Sequence, residues 1–330
     1  MTDANISTTG DLGGMGYQYL AANKQQKGQI RANATSLEED EWETLDETVF
    51  RVAQETLTAV QDLRNAGLTR SISLATQIDK WQTTNDFEEA DVDMSGTTGG
   101  ESQRTAYTTE GVPVPIVHSD FNVSMRELES SRNMGDDLET LNAAKASRQV
   151  SEKLEDLLFN GWEAVTDGNS NSYNLYGYLS HPDRNTVSGS DFGTAANVRP
   201  AIVESAEALS ADNYNYDSGR GSWLYLNSTQ YDELLQDDPD DDSTDSLLET
   251  MQSTFDWLTI QRADKVPAGT GVMVKPQQEV VDLSVAEDIQ TVQWEEQGGM
   301  ELYFKVMAAM APRLKSDFDG QMGVVEITGI

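Results

Sequence analysis

The chain has 330 residues, enough for a sizeable core in one or two lobes, and 22 Lys and Arg against 57 Asp and Glu leave it a net charge of -35. That balance excludes direct binding to nucleic-acid phosphates, which needs clustered bases, and predicts adaptation to concentrated salt, where a Debye length of about 3 Å at 1 M removes most self-repulsion. The absence of Cys removes disulfides, thiolate metal sites and thiol nucleophiles, and 37% hydrophobic residues with six Trp exceed what a disordered acidic tail needs.

No run approaches the roughly 18 apolar residues of a membrane span, and the opening MTDANISTTGDLGGMG carries neither the basic nor the apolar region of a secretory signal. Residues 1–35, rich in Gly, Thr, Asn and Gln, read as an extended arm. The glycines of GDLGGMG lack the preceding strand and following helix of a phosphate loop. Ser36 and Glu39 then form a capping-box pattern. Trp42, Leu45, Val49, Val52, Thr56, Val60 and Leu63 recur at helical spacing up to Gly67, which predicts one amphipathic helix of about seven turns.

Ser71 to Leu74 and Val112 to Val123 alternate as strands do. Between them, Phe87 to Tyr107 is polar and Gly-interrupted, and is expected to be a protruding two-stranded loop that finds its partners on another subunit; a plain surface loop is the alternative. A second long helix is predicted over Asp136 to Phe159, lined by Leu138, Leu141, Ala144, Val150, Leu154, Leu157 and Leu158 and closed by Gly161. A linker at 167–174 leads to a helix over Pro200 to Leu209. A buried strand follows at Ser222 to Leu226, then a helix at Thr229 to Leu235 and the acidic run DDPDDDSTD. Strands at Trp257 to Gln261, Gly271 to Val274, Ile289 to Trp294 and Met300 to Ala311, with the final VVEITGI, complete an α+β chain.

Candidate chemistry is sparse. His118 and His181 are the only histidines. His118 stands in the triplet His118, Ser119, Asp120, whose adjacent members point to opposite faces of a strand and cannot form a catalytic triad among themselves. Asp240, Asp241, Asp242 and Asp245 could gather a hard cation weakly. Their run lacks the Gly and the terminal Glu of an EF-hand, and a solvated loop is the favoured reading. No catalytic residue, cofactor site or firm metal site is predicted.

Residues 114–161, VPIVHSDFNVSMRELESSRNMGDDLETLNAAKASRQVSEKLEDLLFNG, resemble the capsid fold of tailed double-stranded DNA viruses, the HK97-type fold that encapsulin nanocompartments share. They look like the strand returning from the E-loop, a short helix at Met125 to Ser130 and the long spine helix. LYGYLS, GSWLYLNSTQYDELL and GMELYFKVMAAMAPRLKS resemble later segments in the same order. The resemblance implies an N-terminal arm at 1–35, an N-terminal helix at 36–67, and an E-loop with its base at 68–123. It further implies a P domain from 124–199 and 271–330 and an A domain at 200–270. It also implies a homo-oligomer of pentamers and hexamers in an icosahedral shell that encloses double-stranded DNA, with a separate scaffold and a portal, and with room for cementing proteins. The arm favours the head of a tailed virus of a salt-loving archaeon, assembled in the host cytoplasm. An encapsulin shell around a cargo enzyme is the alternative, and a halophilic hydrolase the reading from another class. Some relatives join an E-loop Lys to a neighbour's Asn; no Lys lies between Phe87 and Tyr107, so no crosslink is expected.

Overall fold

A computed structural model of the chain describes residues 39–84, 94, 104–134, 138–167, 170–237, 246–296, 298 and 300–330. The expected arm, the Ser36 cap, nearly all of the loop between Phe87 and Arg104, and Asp240, Asp241, Asp242 and Asp245 lie outside the described residues. Two sheets carry the architecture. Strands β1 (Thr69–Ser71), β4 (Ile116–Ser124), β11 (Val281–Glu296) and β12 (Glu301–Leu314) form one, in the order β1-β11-β12-β4. Strands β7 (Asn185–Ser188), β8 (Ser222–Leu226), β9 (Leu258–Arg262), β10 (Thr270–Val274) and β13 (Val324–Thr328) form the other, in the order β7-β13-β10-β8-β9. This second sheet draws strands from both sides of residue 270, so the expected 200–270 segment shares its sheet with residues from the segment after it.

The helical repeat before Gly67 does not make one helix. It makes α1 (Glu39–Thr56) and α2 (Ala59–Asn65), interrupted at Leu57 and Thr58. Leu45, Val49, Val60 and Leu63 are buried as the spacing requires. The interruption has a tertiary cause, because the Glu155 carboxylate takes the backbone N–H groups that a continuous helix would spend on its own carbonyls. After β4, Ser124 and Glu127 form a reciprocal cap that starts α3 (Met125–Met134): the Ser124 N–H donates to Glu127 Oε2 at 3.1 Å and the Glu127 N–H to Ser124 Oγ at 3.3 Å.

The long helix α4 (Leu138–Asn160) buries Ala143, Ala146, Val150, Leu154, Leu157 and Leu158 against α1 and the first sheet. Leu141, expected on the buried side, is exposed; the buried stripe runs instead through Ala143, Ala146 and Ser147. Gly161 ends the helix at φ +77°, where a Cβ would stand 2.3 Å from the Leu175 carbonyl oxygen, so only Gly turns the chain here. The expected linker holds a hairpin, β5 (Trp162–Thr166) with β6 (Ser172–Leu175), whose turn is closed by Asp167 accepting from the Asn171 N–H at 2.9 Å.

The helix α5 (Ala195–Ala211) begins before Pro200 and includes it, against the expectation that Pro opens the helix. Val198, Ala201, Ile202 and Leu209 bury its inner face on β7 and β13. The short α6 (Ser228–Glu233) starts from Asn227, whose side chain accepts the Thr229 N–H. The helix α7 (Leu247–Thr254) follows the acidic run and has a full capping box between Ser246 and Glu249, a signal present in the sequence but not read from it. Lys275, after β10, is fully buried. Its ammonium donates to the carbonyls of Tyr216, Ser218 and Gly221 at 3.3, 2.6 and 2.9 Å, which uses all three of its donors.

Candidate assembly elements

The residues singled out for chemistry do not converge. His118 and Asp120 share one face of β4, with Nδ1 3.0 Å from Oδ1, and both are exposed. Ser119 points the other way and donates to Gln149 of α4 at 3.0 Å. His181 is buried, and burial chiefly pulls its pKa below the usual value; its Nδ1 accepts the Asp183 N–H at 3.2 Å, which makes it a neutral, structural histidine. Asp237 bridges to Ser246. Among the described residues no group of three or more His, Asp or Glu is placed to hold a metal ion, and no helix is long and apolar enough to cross a membrane.

The structure builds most deliberately at the root of the predicted loop. Strands β2 (Ile78–Thr84) and β3 (Tyr107–Pro113) pair antiparallel from Ile78 opposite Pro113 to Thr84 opposite Tyr107, forming a two-stranded ribbon. Burial rises along β3 toward its root, where Val112 is in the core and Tyr107 is open to solvent. Asp79, buried on β2, accepts from Ser284 Oγ at 2.7 Å and lies 3.2 Å from Arg313. Arg313 also makes a two-pronged bond to Asp282, with Nε at 2.6 Å from Oδ1 and Nη2 on Oδ2. Lys315 adds 2.8 Å to the same Asp282 oxygen, and the guanidinium lies over the Trp81 ring at 5.5 Å. Burial acts most strongly on Asp282 and opposes its charge, yet Arg313 and Lys315 together hold its carboxyl below the usual aspartate value. On the other side Lys80 covers the Tyr173 ring of β6 at 4.6 Å and reaches Asp167 at 3.6 Å. The ribbon is therefore clamped at its base, and Tyr107 at the far end of its described pairing is exposed.

One face of the first sheet is partly exposed among the described residues. Register places Asp120, Lys305 and Val292 in one row across β4, β12 and β11, with Asn122, Tyr303 and Trp294 in the next row on that face. Trp294 stacks on Tyr303 at 5.5 Å, and Lys305 reaches Asp120 at 3.3 Å while lying 5.8 Å from the Trp294 ring. Ile116, Met300 and Tyr107 are among the exposed large apolar side chains. The sequence pattern marked the alternation that β4 carries. The ion cluster under the ribbon joins positions more than 200 residues apart, and no local signal announces it.

A family model described as a family of unknown function (DUF6260) matches residues 31–327. The chain belongs to that family. No curated protein matches it. Among solved structures, the virus-like particle from Pyrococcus furiosus is similar at a TM-score of 0.62 and 16% identity, covering 87% of this chain and 98% of that one. The capsid of Myoviridae phage XM1 gives 0.61 and 13% identity over 82% and 92%. The structure titled Mycobacterium phage Ogopogo gives 0.58 and 12% over 83% and 92%. This member of the DUF6260 family thus has the HK97-type capsid fold, a mixed α+β architecture.

Proposed function

We propose that this chain is the major capsid protein of a tailed double-stranded DNA virus, a structural subunit and not an enzyme, and that it closes with many copies of itself into an icosahedral head. The observation that carries this reading is the match of one fold across more than 80% of this chain and more than 90% of chains from capsids and a virus-like particle. A ribbon clamped at its base suits a loop that reaches over a neighbour, and repeated contacts whose rotation closes are what a shell requires. In this reading residues 1–35 are the arm, 68–123 the E-loop and its base, 124–199 and 271–330 the P domain, and 200–270 the A domain. The Asp240 to Asp245 run would ring a capsomer opening with negative charge. Scaffold, portal and enclosed DNA are the partners, and a salt-loving archaeon is the host that a net charge of -35 suits. The missing Lys between Phe87 and Tyr107 argues for a shell without covalent crosslinks.

An encapsulin-type compartment is the second reading. The coverage of 98% of the Pyrococcus particle chain favours it.

Electron microscopy of purified material in molar salt tests both. DNA-filled tailed heads support the virus, enzyme-loaded shells the compartment, and monomers under every condition reject each of them. Lowering the salt is expected to dissolve particles before circular dichroism of the subunit changes, since the charge of every copy adds in the shell. Simultaneous loss would place the salt requirement in the fold. Denaturing electrophoresis should return single-chain bands, and ladders would refute the uncrosslinked shell.

A further inference from the structure

Glu155 sits on the inward side of α4 and is only 5% exposed. Its Oε1 accepts the backbone N–H groups of Thr58 and Ala59, the second at 2.7 Å, and its Oε2 that of Val60 at 3.3 Å. These are the orphan donors at the start of α2, and Thr58, the residue at the cap position, makes no side-chain bond to them. The joint between α1 and α2 is thus closed by a side chain from another helix.

The surroundings hold no compensating cation. Asp62 of α2 accepts the Tyr225 hydroxyl of β8 at 2.9 Å and is also bonded by Gln261 of β9. The fully buried Tyr178 hydroxyl has no hydrogen-bond partner among the described residues. No Lys or Arg pairs with either carboxylate among the described residues. Two carboxyls and two phenols therefore meet where α2, α4 and the second sheet join.

We propose that Glu155 is a proton-controlled latch, which closes the α1–α2 joint by accepting the N–H groups of Thr58, Ala59 and Val60 and whose protonation state sets how firmly that joint stays shut. The inference concerns the subunit itself and holds whichever shell it builds. Burial is the largest influence on Glu155 and raises its pKa to about 7 against the opposing pull of the three N–H groups, with the nearby Asp62 adding to the rise. Burial likewise raises Asp62. A carboxyl whose pKa is higher when buried than when open holds its proton in the closed joint and gives it up when the joint opens. The closed form is then favoured fully below the open value of 4.5 and progressively less as pH rises through about 7. Between pH 6 and 8 those two values correspond to a rise of about tenfold in the opening equilibrium.

Hydrogen exchange of the Thr58, Ala59 and Val60 amides in the full chain, corrected for intrinsic rates, reads that equilibrium. Protection is expected to fall about tenfold from pH 6 to 8 in the wild type and to stay level in Glu155→Gln. Level protection in the wild type, or an equal fall in the variant, overturns the latch. Should the variant not fold, the carboxyl of Glu155 can be followed directly by carbon-13 NMR of the wild type. A midpoint near 7 supports the proposal and a midpoint below 5 ends it.

Discussion

The two sheets are built differently. The five-stranded sheet is built from short strands, and β8, β10 and β13 are buried along most of their length by Leu224, Leu226, Met273, Val325 and Ile327. Helices α5, α6 and α7 pack against its strands. The four-stranded sheet is built on the long strands β11 and β12, carries alternating burial on β4, and roots a ribbon through buried charges. Both sheets bury apolar residues in the main core, and the four-stranded one also carries a partly exposed row of polar and aromatic groups across β4, β12 and β11.

Cutting the clamp under the ribbon is the hardest test of that difference. Arg313→Ala leaves Asp79 and Asp282 buried without their shared cation and is expected to cost about 3–5 kcal/mol in denaturant unfolding. Leu224→Ala in the other sheet removes only apolar volume, with an expected loss of about 2–5 kcal/mol. The contrast lies in local order: ribbon amides should lose exchange protection in the first variant and keep it in the second. Equal effects on the ribbon would mean that the sheets are not independent in this sense. Acid gives a gentler version. The Asp282 carboxyl is held below its usual value, so its contribution is present above the unfolded aspartate range and disappears as pH falls through the lower folded value. Asp282→Asn should remove that part of the acid-unfolding curve. Ser246→Ala, which breaks the α7 capping box, is expected to cost about 1 kcal/mol in thermal unfolding. Lys305→Ala on the partly exposed face should change subunit stability by at most about 1 kcal/mol, since its Asp120 partner is solvated. A larger loss would show that this face is part of the subunit's own core.

How much of this was legible in the sequence follows from the range of each interaction. The α4 helix, the buried SWLYL strand and the β4 alternation rest on period and propensity within one segment, and the structure contains each of them. The break at Leu57 and Thr58 was invisible because its cause, Glu155, is 97 positions from Thr58, while the local apolar spacing runs straight through it. Pro200 misled because Pro favours the first helical turn, whereas the burial of Val198 beside Ala201 and Ile202 sustains α5 ahead of it. The Asp79, Asp282 and Arg313 cluster has no local signal in a chain with 57 acids, because only folding brings the three together. At the His118 triplet, strand geometry alone puts Ser119 on the face opposite His118 and Asp120.

The buried Lys275 carries one further consequence. With its three ammonium hydrogens held by the carbonyls of Tyr216, Ser218 and Gly221, and burial drawing its pKa below the usual lysine value, it is shielded from reagents that acylate free amines. In the folded chain an activated ester should modify exposed lysines such as Lys80 and Lys153 and leave Lys275 untouched. Peptide mass mapping of that one amine would then report, copy by copy, whether the five-stranded sheet stays closed when the surrounding salt is withdrawn.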